Sequence, residues 1–315
     1  MRYTGFDIGG TKCSVCLAEE TNNTIKIIDK KVIKTDRSIS PYDMIDKMCD
    51  EGEKMGWGRK IGFSCGGPLD SVNGIIQSPP NLPGWDNVEI IKYIKEKTGL
   101  DSILQNDANA CAVAEWKYGA GKGFKNVVFL TFGTGLGAGL ILDGKLYTGT
   151  NDNCGEVGHI RLSENGPVGY GKAGSAEGFC SGNGIAQLGK IKATERLQTG
   201  KNVSYCKSYD ELDNITAKLI AEYACAGNED ALEIYRICGR KLGALLSVLI
   251  DILNPERVII GSIFQRCENL LRFEMQKVID SETLAVSNSV CKVVPAELKD
   301  NIGDYAAVAV AVAAM

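Results

Sequence analysis

Residues 131–139 read Thr131-Phe132-Gly133-Thr134-Gly135-Leu136-Gly137-Ala138-Gly139: the apolar run Val127 to Phe132 breaks into a turn with glycine at every second position. The glycines lead into another apolar run, Leu140 to Leu142, and not into a helix. A dinucleotide fingerprint needs strand, Gly-x-Gly-x-x-Gly and helix in that order, so that fold is excluded; the lack of Gly-x-x-x-x-Gly-Lys-Ser/Thr excludes a P-loop. What remains is a glycine turn between strands, where exposed backbone N–H groups make a nest for anionic oxygens. A second such turn, Asp7-Ile8-Gly9-Gly10-Thr11-Lys12, follows the apolar run Tyr3 to Ile8 about 120 residues upstream. Between the two, Asn106-Asp107-Ala108-Asn109 places a carboxylate after Ile103-Leu104. Two phosphate nests and one carboxylate are the minimum set for phosphoryl transfer from a nucleotide.

The bulk properties agree. A chain of 315 residues is long for one core, so two domains are expected. Hydrophobic residues at 44%, with 37 glycines and 8 prolines, describe a soluble globular α/β protein. A net charge of −4 without any basic block argues against nucleic acid as a partner. No apolar stretch is long enough to span a bilayer, and Met1-Arg2-Tyr3-Thr4-Gly5 opens into a strand and not an export signal, so the expected location is the cytoplasm. The 12 cysteines are scattered through apolar runs and read as small buried hydrophobes. Cys13 and Cys16 fall on opposite faces of an alternating strand, which suits core packing and not redox chemistry. Cys65, beside Gly66-Gly67, is expected to approach the substrate and to be open to alkylation.

Strands are expected at Tyr3 to Ile8, Cys13 to Ala18, Ile25 to Ile33, Lys60 to Ser64 and Arg257 to Ile260. Helices are expected at Pro41 to Met55, Val88 to Thr98, Ala108 to Tyr118, Gly182 to Leu197, Ile215 to Ala226, Ala231 to Leu253 and Tyr305 to Ala314. Asp143-Gly144 marks a tight hairpin within a strand pattern over 126–149. Gly119, Gly121 and Gly123 cluster at the expected boundary between a smaller domain, 1–118, and a larger one, 119–302, with the last helix (about 303–315) returning to the first.

These elements together resemble the ROK family of repressors and sugar kinases. The resemblance rests on the order of motifs along the whole chain. These are the two glycine turns, Gly66-Gly67-Pro68, Asn81-Leu82-Pro83-Gly84-Trp85, Asn106-Asp107-Ala108-Asn109-Ala110, Gly155-Glu156-Val157-Gly158-His159 and Gly303-Asp304-Tyr305-Ala306. It implies an actin-like ATPase (ribonuclease H-like) fold, two α/β domains with a cleft between them. It also implies an ATP-dependent kinase acting on the 6-hydroxyl of a hexose. Asp107 is then the general base, against the plainer reading of Asp107 as a helix cap. Gly9, Gly10, Thr11, Lys12, Gly133, Thr134, Gly135 and Gly261 are expected around the ATP phosphates, and Asp7 near Mg²⁺. Gly66, Gly67, Asn81, Asn106, Glu156, His159 and Glu177 are expected around the sugar; alone, Glu177 reads as a surface acid.

In the family His159, the only histidine here, commonly joins three cysteines in a structural zinc site. At those cysteine positions this chain has Val168, Tyr170 and Ser175. Structural zinc needs N and S ligands, so no zinc is expected, and Cys154 and Cys180 offer with His159 only an incomplete substitute. Tyr170 and hydrogen bonds are expected to pack the loop instead. The resemblance also implies a homodimer. An N-terminal DNA-binding module, as in the repressors, has no room before residue 7. Open alternatives are an N-acetylhexosamine or mannosamine, fructose, allose or β-glucoside kinase, and a non-catalytic sugar sensor.

Overall fold

Strand β1 (Arg2–Ile8) is buried from Tyr3 to Phe6 on both faces, as befits the middle of a sheet covered on two sides. In the computed structural model, which describes residues 1–313, β1 runs antiparallel to β2 (Lys12–Thr21), and β2 to β3 (Thr24–Lys34). On its other side β1 is parallel to β4 (Lys60–Cys65), and β4 to β7 (Asp101–Asn106), giving the order β3-β2-β1-β4-β7. A small hairpin of β5 (Leu69–Asp70) and β6 (Ile75–Ile76) follows β4.

One face of this sheet packs α1 (Pro41–Met55) and α2 (Ile90–Thr98). Met44, Ile45, Met48, Ile90 and Ile94 close over Phe6, Ile8, Val15 and Phe63. A capping box of Ser40 and Asp43, with Pro41 in the first turn, starts α1; Gly99 at φ 72° ends α2. The other face packs α3 (Asp107–Tyr118) and α10 (Ile302–Val312). Here Gly5 and Gly62 are register partners that clear a flat floor for α10, whose Ala306 to Ala311 are all buried. A Cβ on Gly62 would stand 2.0 Å from the Ala307 carbonyl oxygen, closer than any real contact. Cys13 belongs to the first face and Cys16 to the second, as strand alternation requires.

The second sheet has the order β10-β9-β8-β13-β14, from β8 (Val127–Phe132), β9 (Leu136–Leu142), β10 (Lys145–Tyr147), β13 (Arg257–Ile260) and β14 (Lys292–Pro295). Asp143 (φ 49°) and Gly144 (φ 72°) both adopt the left-handed region that a two-residue β9–β10 turn demands. A hairpin of β11 (Val168–Gly169) and β12 (Lys172–Ala173) precedes α4 (Ala176–Phe179) and α5 (Gly182–Gln198). The helical layer is completed by α6 (Ala217–Cys225), α7 (Glu229–Leu253), α8 (Ile263–Glu282) and α9 (Ala285–Asn288). Helices α7 and α8 pack closely because Gly239 and Gly243 leave only backbone between α7 and Leu271 and Met275 of α8.

The chain divides into two compact units. One comprises Met1–Phe129, Gly139–Gly155 and the stretch from Ala296; the other comprises Leu130–Ala138 and Glu156–Pro295. Among the described residues no helix is long and apolar enough to cross a membrane. The last helix starts at Ile302 and not Tyr305, and the expected end at Ala314 lies outside the described residues. Helix α8 has no counterpart in the sequence expectations. Its buried Phe264, Cys267, Leu271, Met275 and Ile279 keep helical spacing, but the stripe is one residue wide and Cys267 (φ −124°) interrupts it.

Candidate active site

Parallel pairing brings three strand ends together in the first unit. Asp7, Ser64 and Gln105 are register partners across β1, β4 and β7, and Ile8, Cys65 and Asn106 form the next row. Strands β1 and β4 then run into short loops, Gly9-Gly10 and Gly66-Gly67, and β7 runs directly into α3 at Asp107. The carboxyl edge of parallel strands is where open α/β sheets bind ligands.

The β1–β2 turn points its carbonyls away from this edge. Gly9 O accepts from Thr35 Oγ1 (2.6 Å), Gly10 O from Arg37 (3.0 Å) and Thr11 O from Thr35 N (3.1 Å). The amides of Gly10 and Thr11 donate to no acceptor among the described residues, which leaves a nest of N–H groups open to an anion. Thr11 and the Lys12 side chain beside them are exposed. Gly10 is irreplaceable on packing grounds, since a Cβ there would meet the Asn81 carbonyl at 2.2 Å. Buried Leu82 and Trp85 anchor the Asn81 loop. A Cβ on Gly66 would lie 3.4 Å from the Asn81 amide, and one on Gly67 would lie 3.3 Å from Asn106 Nδ2. Gly10, Gly66, Gly67, Asn81 and Asn106 are thus neighbours.

Asn106, not Asp107, caps α3: its side chain accepts from Ala108 N (2.9 Å) and Asn109 N (3.3 Å). Asp107 is the first helical residue, and one carboxylate oxygen accepts from Ala108 N at 2.8 Å. Its surface is accessible to solvent, yet the protein mass around it desolvates the carboxylate and raises its pKa above the ordinary value. Asp7 is half-buried. Desolvation pushes its pKa up to about 6, the carboxylates of Asp107 and Asp304 add to the rise, and the Ser64 hydroxyl and Lys12 oppose it. Ser64 Oγ itself is buried without a well-formed hydrogen bond.

Helix α10 completes this corner. A Cβ on Gly303 would stand 2.8 Å from Asp7 Oδ2. Asp304 is buried, accepts from Ser14 Oγ (2.8 Å) and pairs with Lys30. Ser64, Gln105, Thr35 and Asp304 are absent from the expected site. Only Asp304 had a signal, inside the Gly303-Asp304-Tyr305-Ala306 motif.

Cys65 departs from expectation. Its side chain is wholly buried, and burial together with Asp107 and Asp7 pushes its thiol pKa up. It faces the core and presents no thiolate to a reagent.

The second unit carries the other glycine turn. Gly133 N donates to Gly135 O (3.1 Å), and Gly133 O accepts from Gly182 N at the start of α5 (2.8 Å). Thr134 is exposed at the tip. Gly261 follows β13 and donates to Leu130 O at 3.0 Å, and the next residue, Ser262, holds φ 57° at the start of α8. Glu177 opens α4 and is not a loose surface acid: its Oε2 accepts from Leu136 N at 3.1 Å. Gly135 and Gly169 both border it, since a Cβ at either would come within 2.8 Å of Glu177.

Glu156 and His159 are exposed at the two ends of a single 3₁₀ turn over Val157–His159, where His159 N donates to Glu156 O. At the family's cysteine positions, Val168 begins β11, Tyr170 (φ 42°) occupies the β11–β12 turn, and Ser175 caps α4 through Gly178 N (3.1 Å). Tyr170 is 76% exposed and touches His159 only at a ring separation of 6.4 Å, so it does not pack the loop as expected. Its left-handed backbone turns the side chain outward. The loop is braced by backbone bonds instead: Leu162 N to Gly174 O, Gly174 N to Pro167 O, and Ala176 N to Ile160 O. Cys180 is buried with its thiol toward Cys238 O. Among the described residues no three His, Cys, Asp or Glu side chains are grouped to hold a metal ion.

The ROK family model matches residues 3–313. The chain is 32% identical to a glucokinase of Halalkalibacterium halodurans over 270 residues, 82% of this chain and 79% of that protein. It is 30% identical to a glucokinase of Thermotoga maritima over 288 residues, 89% of this chain and 88% of that one. A ROK family glucokinase from Streptomyces griseus, solved in complex with glucose and AMPPNP, superposes with a TM-score of 0.78 at 26% identity, covering 99% of both chains. The architecture is therefore the actin-like ATPase fold of the ROK sugar kinases. With the family matched over nearly its whole length, the chain belongs to the ROK family.

Proposed function

We propose that this sugar kinase transfers the γ-phosphate of ATP to the 6-hydroxyl of a hexose, glucose being the first candidate, with Asp107 as general base. The observation that carries the reading is the placement of Asp107 at the carboxyl end of β7, beside Asp7 and among the neighbours Gly66, Gly67, Asn81 and Asn106. Desolvation makes its carboxylate a stronger base than a solvated aspartate. As the sugar oxygen bonds to the γ-phosphorus, its proton passes to an Asp107 oxygen, and the bond to the β–γ bridging oxygen breaks to release ADP.

The free amides of Gly10 and Thr11, with Gly9, Lys12, Gly133, Thr134, Gly135 and Gly261, are assigned to the phosphates. Asn81, Asn106, Glu156, His159 and Glu177 are assigned to the sugar hydroxyls. Asp7 suits Mg²⁺: it is a hard oxygen ligand held near two other carboxylates that oppose its ionisation, and Mg²⁺ takes few protein ligands beside phosphates and water. When bound, the ion neutralises charge on the phosphates. The test is an ADP-release assay over hexoses, hexosamines and glucosides. Turnover highest with glucose and a 6-phosphate product support the reading, whereas ADP release with none of them overturns it.

A further inference from the structure

Behind the β7–α3 junction lies a cavity of about 950 Å³, at the upper end of the range for small-molecule sites. It is walled by Ser102 to Gln105 of β7, by Trp116 and Lys117 of α3, and by Lys145 and Leu146 of the β9–β10 hairpin. All lining residues belong to the first unit. None of the residues assigned to phosphate or sugar lines it.

Two features give this cavity a chemical character. Lys117 and Lys145, both exposed, line it and no Asp or Glu does; no salt bridge joins either lysine to a carboxylate among the described residues. Lys117 Nζ lies instead 3.8 Å over the Trp116 ring. The remaining wall is largely apolar, with Ile103, Leu104, Val113 and Leu146. Two cations without a carboxylate beside them and a largely apolar wall fit one ligand type.

We propose that this cavity binds a small organic anion with an apolar body, its charge held by Lys117 and Lys145, and that occupancy is felt at Asp107 through Gln105. The route is short. Gln105 is a lining residue of the cavity, and its Oε1 accepts from Asn106 N (2.8 Å) and Asn109 Nδ2 (3.1 Å). It therefore holds the cap and first turn of the helix that begins at Asp107.

The probe for the test is 8-anilinonaphthalene-1-sulfonate, titrated into the full chain with AMPPNP saturating, so that the nucleotide site is closed to it. One probe should bind per chain and quench tryptophan emission by energy transfer; Trp116→Phe, which leaves Trp57 and Trp85, should remove the Trp116 share of that signal. Lys117→Glu/Lys145→Glu should weaken binding by about tenfold per lysine while leaving the melting temperature and probe-free turnover unchanged. Unchanged affinity in that variant, or a transfer signal that keeps its parental size in Trp116→Phe, overturns the site. The kinetic arm rests on the kinase reading, and the binding arm does not. Bound probe should shift kcat or KM for the sugar in the parent and not in the double variant; an equal effect in both overturns the coupling to Asp107.

Discussion

Asp107 and Asp7 both stand where strands of the first sheet end, but the proposed reaction asks different things of them. A base must accept a proton during the reaction, so Asp107→Asn should lower kcat by about 10²–10⁴-fold. Since Asn106 is the cap and Ala108 N can still be satisfied by an amide oxygen, the urea midpoint should move by less than that of a core substitution. A variant retaining near-parental turnover would remove Asp107 from the mechanism. The sequence announced these residues because each stands at a break between an apolar run and a glycine or helix. It did not announce Ser64 or Gln105. A serine or glutamine in an apolar strand looks the same whether it sits beside a half-buried carboxylate, holds a helix cap or packs in the core, and only the register of β1, β4 and β7 tells these apart. Cys65 misled for the same reason, because adjacency in sequence to Gly66 says nothing about which way its side chain points.

At the scale of elements, most helices and strands were legible from periodicity, caps and turn residues. The β9–β10 turn, α1 and α2 were marked by Asp143-Gly144, Ser40-Pro41 and Gly99. Helix α8 was not, because its apolar stripe is thin and interrupted. The packing of α10 was also hidden, since Gly5 and Gly62 are ordinary glycines until pairing sets them side by side. Gly62→Ala tests this seat directly. The new methyl would strike the Ala307 carbonyl, so stability to urea should drop by about 1–3 kcal/mol. Because Gly303 of the same helix borders Asp7, turnover should fall more than the remaining folded fraction explains. Full stability in Gly62→Ala would show that α10 does not rest there.

For the whole molecule, the desolvated carboxylates set a slope of stability with pH. Asp7, Asp107 and Glu115 all have pKa values raised chiefly by desolvation. A raised carboxylate pKa means that the folded chain holds protons the unfolded chain has released, so this contribution to stability falls as pH rises from near 4 through about 6 for Asp7. Asp7→Asn removes the penalty. In the absence of nucleotide and magnesium the variant should be more stable than the parent at pH 7.5, by roughly 2–3 kcal/mol. The gain should vanish near pH 4, while turnover is lost throughout. Equal urea midpoints for the two proteins at pH 7.5 would contradict the burial of that charge. Which distant segments return to a sheet is a matter of pairing and not of composition, as with α10 on the first sheet. That return has a consequence for synthesis. The first sheet emerges from the ribosome early, but the glycine floor on one of its faces stays bare until α10, at the far end of the chain, has been made. Such a lag leaves β1 and β4 open to wrong partners for most of translation, so slow elongation or loss of α10 should be felt first as aggregation of the nascent N-terminal sheet.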